Sequence, residues 1–128
     1  MKSVAVVEDD DAVRKALGRL LQAAGFEPML FQSAEAYIAA SPAPLCAIVD
    51  VSLRGMSGLD FQEKLSAAIR PPAIIMITAL NDPPIRERAE QNGCAAFFLK
   101  PVDGNALIET LELIANRRSA IAAANRPS

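Results

Sequence analysis

The sequence predicts an α/β fold in which five parallel strands alternate with five helices, and three observations carry that prediction. Short apolar runs rich in β-branched residues recur along the chain. Between them the apolar residues switch to three- and four-residue spacing, as amphipathic helices require. The stretches joining the two patterns are short, and right-handed crossovers then place helices on both faces of one parallel sheet.

The first run, Val4 to Val7, ends in Glu8, Asp9, Asp10 and Asp11. From Asp11 the period changes, with Val13, Leu17, Leu20, Leu21 and Ala24 on one stripe and Gly25 as a helix stop. Acids at a helix start complement its dipole, so the residues alone leave a stabilising and a functional reading of Glu8 to Asp11 both open. Phe26 to Phe31 reads as a second strand at a sheet edge, because Pro28 cannot donate to a ladder. Ser33 caps a short helix to Ala40 with Tyr37 and Ile38 inward, and Ser41 to Pro44 closes it.

Leu45 to Asp50 is the third strand, and its apolar residues deliver one carboxylate to a loop carrying Gly55 and Gly58. Ser57, three residues before Asp60, gives a capping-box spacing for a third helix running to Ile69, with Leu59, Phe61 or Gln62, Leu65 and Ala68 inward. Arg70-Pro71-Pro72 ends it. Ala73 to Ile77 is continuously apolar, as a strand covered on both faces is, and Thr78 follows. Asn81-Asp82-Pro83 starts a helix that runs to Asn92 and stops at Gly93. Ala95 to Leu99 is the fifth strand, followed by Lys100-Pro101. Asp103 caps the last helix, where Leu107, Leu111 and Ile114 recur at i, i+4 and i+7. The domain is expected over residues 1–116, with 117–128 a helix end or linker.

Composition narrows the function. One domain of 128 residues needs no metal or disulfide staple. A formal charge of -2, with 13 basic and 15 acidic residues interspersed, gives no footprint for nucleic acid or an anionic membrane. Cys46 and Cys94 lack metal-type spacing and read as packing residues of a reducing compartment. Histidine is absent, which removes the commonest general base. No run approaches membrane length and the N-terminus turns acidic too early for a signal peptide, so a cytoplasmic setting is expected.

In one parallel sheet, the strands' carboxyl ends bring Glu8, Asp9, Asp50, Thr78 and Lys100 to one edge, where ligands of such sheets bind. Three carboxylates within about 5 Å repel by roughly 3 kcal/mol per pair at an effective dielectric of 20, so the cluster requires compensation. A divalent cation and Lys100 supply it, and an all-oxygen site with room for water and a phosphoryl group suits Mg²⁺. Phosphoryl transfer needs chiefly positioning and charge neutralisation, which a metal, an ammonium and a hydroxyl can provide. The nucleophile would be Asp50, giving an acyl phosphate.

The pieces VVEDD, IVDVSLRGMSGLD, IIMITA, NGCAAFFLKP and LIETLELI together resemble the receiver domains of two-component response regulators, over Ser3 to about Asn116. The resemblance implies a flavodoxin-like sheet of order 2-1-3-4-5 and Asp50 as acceptor of a phosphoryl group from a sensor histidine kinase or phosphotransfer protein. It implies Glu8, Asp9, Asp50 and the Ser52 carbonyl as metal ligands, Thr78 and Phe97 as switch residues, and Lys100 as the phosphoryl-pairing ammonium. A cis Lys100-Pro101 peptide is implied too, as is a homodimer surface formed by the fourth helix, fifth strand and fifth helix. Glu8 stands where Asp is commoner, which lengthens that ligand and favours metal contact through water. Leu53-Arg54 replaces the frequent Met-Pro, giving a more mobile loop. Leu80, apolar at a lifetime-setting position, implies slow self-dephosphorylation.

Two other classes compete. A Mg²⁺-dependent aspartyl phosphohydrolase commonly has a second Asp two positions after the nucleophile, but Ser52 stands there. A pseudo-receiver acting only as a binding module usually lacks the acceptor or the lysine, and both are present. With no helix-turn-helix or catalytic segment after Asn116, the chain is expected to be a stand-alone receiver or the front of a longer regulator.

Overall fold

The computed structural model describes residues 2–124. The element order is β1 (Ser3–Val7), α1 (Asp11–Ala23), β2 (Glu27–Phe31), α2 (Ala34–Ala40), β3 (Cys46–Asp50), α3 (Gly58–Ser66), β4 (Ala73–Thr78), α4 (Pro83–Gln91), β5 (Ala96–Leu99) and α5 (Gly104–Ala124). The strands form one sheet of order β2-β1-β3-β4-β5, with every pairing parallel. It is the flavodoxin-like order that the resemblance implies, and β2 with its proline lies on an edge.

Period-two alternation along the strands divides the core into two layers. Ala5, Val7, Ala47, Val49, Ile74 and Met76 pack with Ala34, Tyr37, Leu59, Phe61 and Ala89 under α2, α3 and α4. Val4, Val6, Ile48, Ile75 and Ile77 pack with Leu17, Leu21, Leu107 and Leu111 under α1 and α5. At roughly 1.5–3 kcal/mol per fully buried aliphatic or aromatic side chain, these layers dominate the stability of the fold. Their residues on the three central strands fix where those strands end, and so where the charged residues emerge.

The caps follow the sequence. Asp10, Ser33, Ser57 and Asp103 accept from the backbone amides of Val13, Ala36, Asp60 and Ala106. Asp82 occupies the N-cap of α4 without a side-chain hydrogen bond, and Pro83 opens the helix. Gly25 and Gly93 take positive φ just past their helices, where an L side chain is disfavoured.

Four details differ from the sequence expectation. The third helix ends at Ser66 rather than Ile69, with Ala67 as its C-cap; Ala68 is exposed and Ile69 is 100% exposed, so no packing holds a further turn. Ile38 points outward, since the seven-residue α2 buries only Ala34 and Tyr37. The third strand starts at Cys46, fully buried, rather than at Leu45. Ala24 closes α1 exposed. The helix begun at Gly104 continues past Asn116 to Ala124, and the remainder of the expected tail, 125–128, lies outside the described residues.

Candidate functional site

The carboxyl ends of β1, β3, β4 and β5 converge. Buried strands cannot leave charged residues along their length, so the charges appear in the first positions where the chain leaves the layers: Glu8 after β1, Asp50 closing β3, Lys100 after β5. Carboxylate oxygens of Glu8, Asp9 and Asp50 come within 4.8 Å of one another. Glu8 is fully buried and Asp50 nearly so. Lys100 reaches across the sheet edge, donating from Nζ to Glu8 Oε1 at 2.5 Å and to Asp50 Oδ2 at 3.3 Å. One ammonium thus bridges two of the three clustered carboxylates, and the hard oxygen donor set fits a small divalent cation.

The protonation states follow from this crowding. Burial raises the Glu8 carboxyl to about 7, aided by its hydrogen bond with Asp50 and opposed by Lys100. Burial pulls the Lys100 ammonium down, but Glu8 and the charge of Asp50 outweigh it and hold Lys100 above the ordinary lysine range.

Backbone groups complete the frame. The Ser52 amide donates to Asp50 Oδ1 at 3.1 Å. Gly58 closes the turn with its amide on the Val51 carbonyl at 3.0 Å, and a Cβ there would collide with the Asp50 carbonyl oxygen. A glycine is therefore required for the chain to fold back beside Asp50. Thr78, fully buried at the end of β4, accepts at Oγ1 from the Leu80 amide at 3.0 Å. The Lys100 amide donates to the Thr78 carbonyl at 2.8 Å, and the Lys100-Pro101 peptide is cis as expected. Phe97 is half-buried on the α4 side of β5, and the Arg86 guanidinium lies 5.4 Å from its ring centroid. Phe98 packs against the opposite layer.

The structure thus brings together Glu8, Asp9, Asp50 and Lys100, while Ser52 and Thr78 contribute through the contacts just given. Sequence reasoning missed three neighbours of the site. Arg14 of α1 donates to the Glu8 carbonyl at 2.9 Å, the Arg54 amide donates to Asp9 Oδ2 at 3.2 Å, and Glu35 of α2 accepts from the Met56 amide at 3.3 Å. The replacement of Met-Pro by Leu53-Arg54 is the one sequence signal that pointed to any of them.

Comparison with known proteins agrees with this geometry. The model of the response regulator receiver domain family matches residues 4–112. The transcriptional regulatory protein FixJ of Azorhizobium caulinodans is 38% identical over 108 residues, covering 82% of this chain and 51% of that protein. FixJ of Rhizobium meliloti is 34% identical over 113 residues, 86% of this chain and 55% of that protein. The chain spans about half the length of these curated relatives. Among solved structures, the one titled FixJ-N superposes with a TM-score of 0.81 at 29% identity, covering 91% of this chain and 94% of that one. A CheY-like receiver from Methanospirillum hungatei JF-1 shares the fold at a TM-score of 0.85 and 24% identity, covering 94% and 98%. With a matching family model, FixJ-like relatives and an acidic pocket where a phosphoacceptor site belongs, this chain is a member of the response regulator receiver domain family of two-component signal transduction.

Proposed function

We propose that Asp50 accepts a phosphoryl group from a sensor histidine kinase or phosphotransfer protein, and that the resulting change at Thr78 and Phe97 alters the surface of α4, β5 and α5. The observation that carries this reading is Lys100 Nζ standing between Glu8 and Asp50, 3.3 Å from the acceptor carboxylate. Its ammonium is placed to pair with a phosphoryl oxygen once Asp50 is modified. The Asp50 carboxylate attacks phosphorus, the bond from phosphorus to the donor's imidazole nitrogen breaks, and an acyl phosphate remains on Asp50.

Glu8, Asp9, Asp50 and the Ser52 carbonyl are the residues that would hold Mg²⁺. Bound there, Mg²⁺ supplies charge neutralisation for the phosphoryl oxygens. The Ser52 amide keeps the Asp50 carboxylate oriented, and the burial of Glu8 and Asp50 excludes bulk water from its inner side.

The modification adds roughly -1.5 to -2 charges and new acceptor oxygens. The Thr78 hydroxyl, now accepting from Leu80, would turn to donate to them, and Phe97 would fill the space that Thr78 leaves. An existing equilibrium is biased, and the surface so altered meets an effector, a partner or a second copy of the chain. The apolar Leu80 side chain, 49% exposed, cannot orient an attacking water, so the acyl phosphate should be long-lived and Leu80→Gln should shorten its lifetime.

Incubation with acetyl phosphate and Mg²⁺ tests the reading by intact-mass spectrometry. One phosphoryl adduct that is lost in Asp50→Asn supports it. Steady release of phosphate over many turnovers would instead indicate a hydrolase, and no adduct would indicate a binding module.

A further inference from the structure

We propose that Arg54 sets the affinity of the acidic site for its divalent cation: the guanidinium stationed beside Asp9 weakens cation binding and so fixes the Mg²⁺ concentration at which Asp50 becomes competent. The inference rests on the phosphoacceptor reading above and adds to it a role for Arg54.

The loop after Asp50 hangs between two carboxylates. On the α2 side the Met56 amide donates to Glu35 Oε2 at 3.3 Å, and on the β1 side the Arg54 amide donates to Asp9 Oδ2 at 3.2 Å. Between them Gly55 has φ +75°, and a Cβ there would lie 2.5 Å from Glu35 Oε2. The backbone of residue 54 is therefore pinned against Asp9 on one flank and α2 on the other. From that anchored position Arg54 Nε sits 3.8 Å from Asp9 Oδ2, with 95% of its side chain exposed.

An exposed pair of this kind adds little to folding. Its consequence lies in the local potential. Asp9 and its two neighbouring carboxylates draw a divalent cation, whereas a positive charge beside one of them repels it and competes for the same oxygen. A unit charge about 6 Å from a divalent ion in a water-like dielectric, screened at physiological salt, changes its affinity about threefold, and more at low salt. A proline at this position, as in the Met-Pro that Leu53-Arg54 replaces, carries neither the charge nor the amide hydrogen.

Calorimetric titration with Mg²⁺ of the wild type, Arg54→Gln and Arg54→Lys, at low and at high salt, tests the proposal without recourse to phosphorylation. Arg54→Gln should bind Mg²⁺ about threefold or more tightly at low salt. Arg54→Lys should match the wild type, and the gap should close at high salt. Equal affinities for wild type and Arg54→Gln at low salt, a gap unchanged by salt, or a Lys variant behaving like Gln would each overturn it. Wild type that binds Mg²⁺ and forms the Asp50 adduct, beside an unchanged Arg54→Gln, sinks this inference alone. Failure of the wild type to bind Mg²⁺ sinks both.

Discussion

The half of the sheet that carries Asp50 and the half around β5 and α4 are held by different forces. β3 is buried along its whole length, and β1 and β4 are buried at every residue but the first. Glu8, Asp50 and Thr78 emerge from these strands and are themselves buried. β5 has no fully buried residue and Leu99 is 42% exposed, while α4 buries only Ala89. In place of apolar area, α4 is tied to α3 by polar contacts: Arg88 to Asp60 at 2.9 Å and to Glu63 at 2.7 Å, and buried Gln62 donating to the Ala89 carbonyl at 2.8 Å. The two Arg88 ion pairs are exposed to water, where such contacts are individually weak and exchange readily with solvent. On the proposed reading, Asp50 would be fixed where an acceptor must not move, and the side that would rearrange is fastened partly by ion pairs that a change of charge can outweigh.

Breaking the rigid half should have the largest effect. Ile75→Ala, at a fully buried position of β4, should cost about 2–5 kcal/mol in urea unfolding. Arg88→Ala should leave the midpoint close to that of the wild type while increasing amide hydrogen exchange in α4. Equal losses for the two variants would erase the distinction between the halves.

Glu8 sharpens the comparison through pH. Its folded value of about 7 stands above the 4.5 of a free glutamate carboxyl, so ionising it opposes folding. The favourable contribution is fully present below about 4.5 and is lost as pH rises through about 7, amounting to about 3 kcal/mol. Without divalent cations, the stability of the wild type relative to Glu8→Gln should therefore decline between pH 4.5 and about 8, and Mg²⁺ should recover much of it. A difference that is flat across that window would show that Lys100 fully offsets the burial.

The two thiols give the mildest contrast. Burial pushes Cys46 up to about 12, and burial also raises Cys94, which is only half-buried near the β5 end of the sheet. At pH 8 an alkylating reagent should label Cys94 slowly and Cys46 only after denaturant is added. Simultaneous labelling would mean that β3 opens as easily as the β5 side.

The rigid half was also the legible half. Val4 to Val7, Leu45 to Asp50 and Ala73 to Ile77 announce themselves because burial on both faces demands continuous apolar runs, and their polar ends are adjacent in sequence to those runs. Lys100 follows the shorter apolar run of β5, although no residue of that strand is fully buried. The helix ends were less clear: Leu65 and Ala68 kept the helical period, but Ala68 finds no surface to pack against and the helix has already closed at Ser66. Ile38 looked inward because a seven-residue helix has too few residues to define its buried face. Arg54 and Asp9 meet across 45 residues, and Glu35 and Met56 across 21, so no local spacing records those contacts. They are products of the assembled fold, made by backbone amides whose direction depends on how the loop closes.

The central claim is that Asp50, held between Ser52 and Lys100, is the one carboxylate of the cluster that takes the phosphoryl group. Treatment of the acetyl phosphate-reacted protein with borohydride, which reduces an acyl phosphate to an alcohol, followed by peptide sequencing in a mass spectrometer, tests it most directly. Homoserine at position 50, absent when Lys100→Ala is used, is the predicted result. Homoserine at position 9, or reduction at no carboxylate of the cluster, would contradict it.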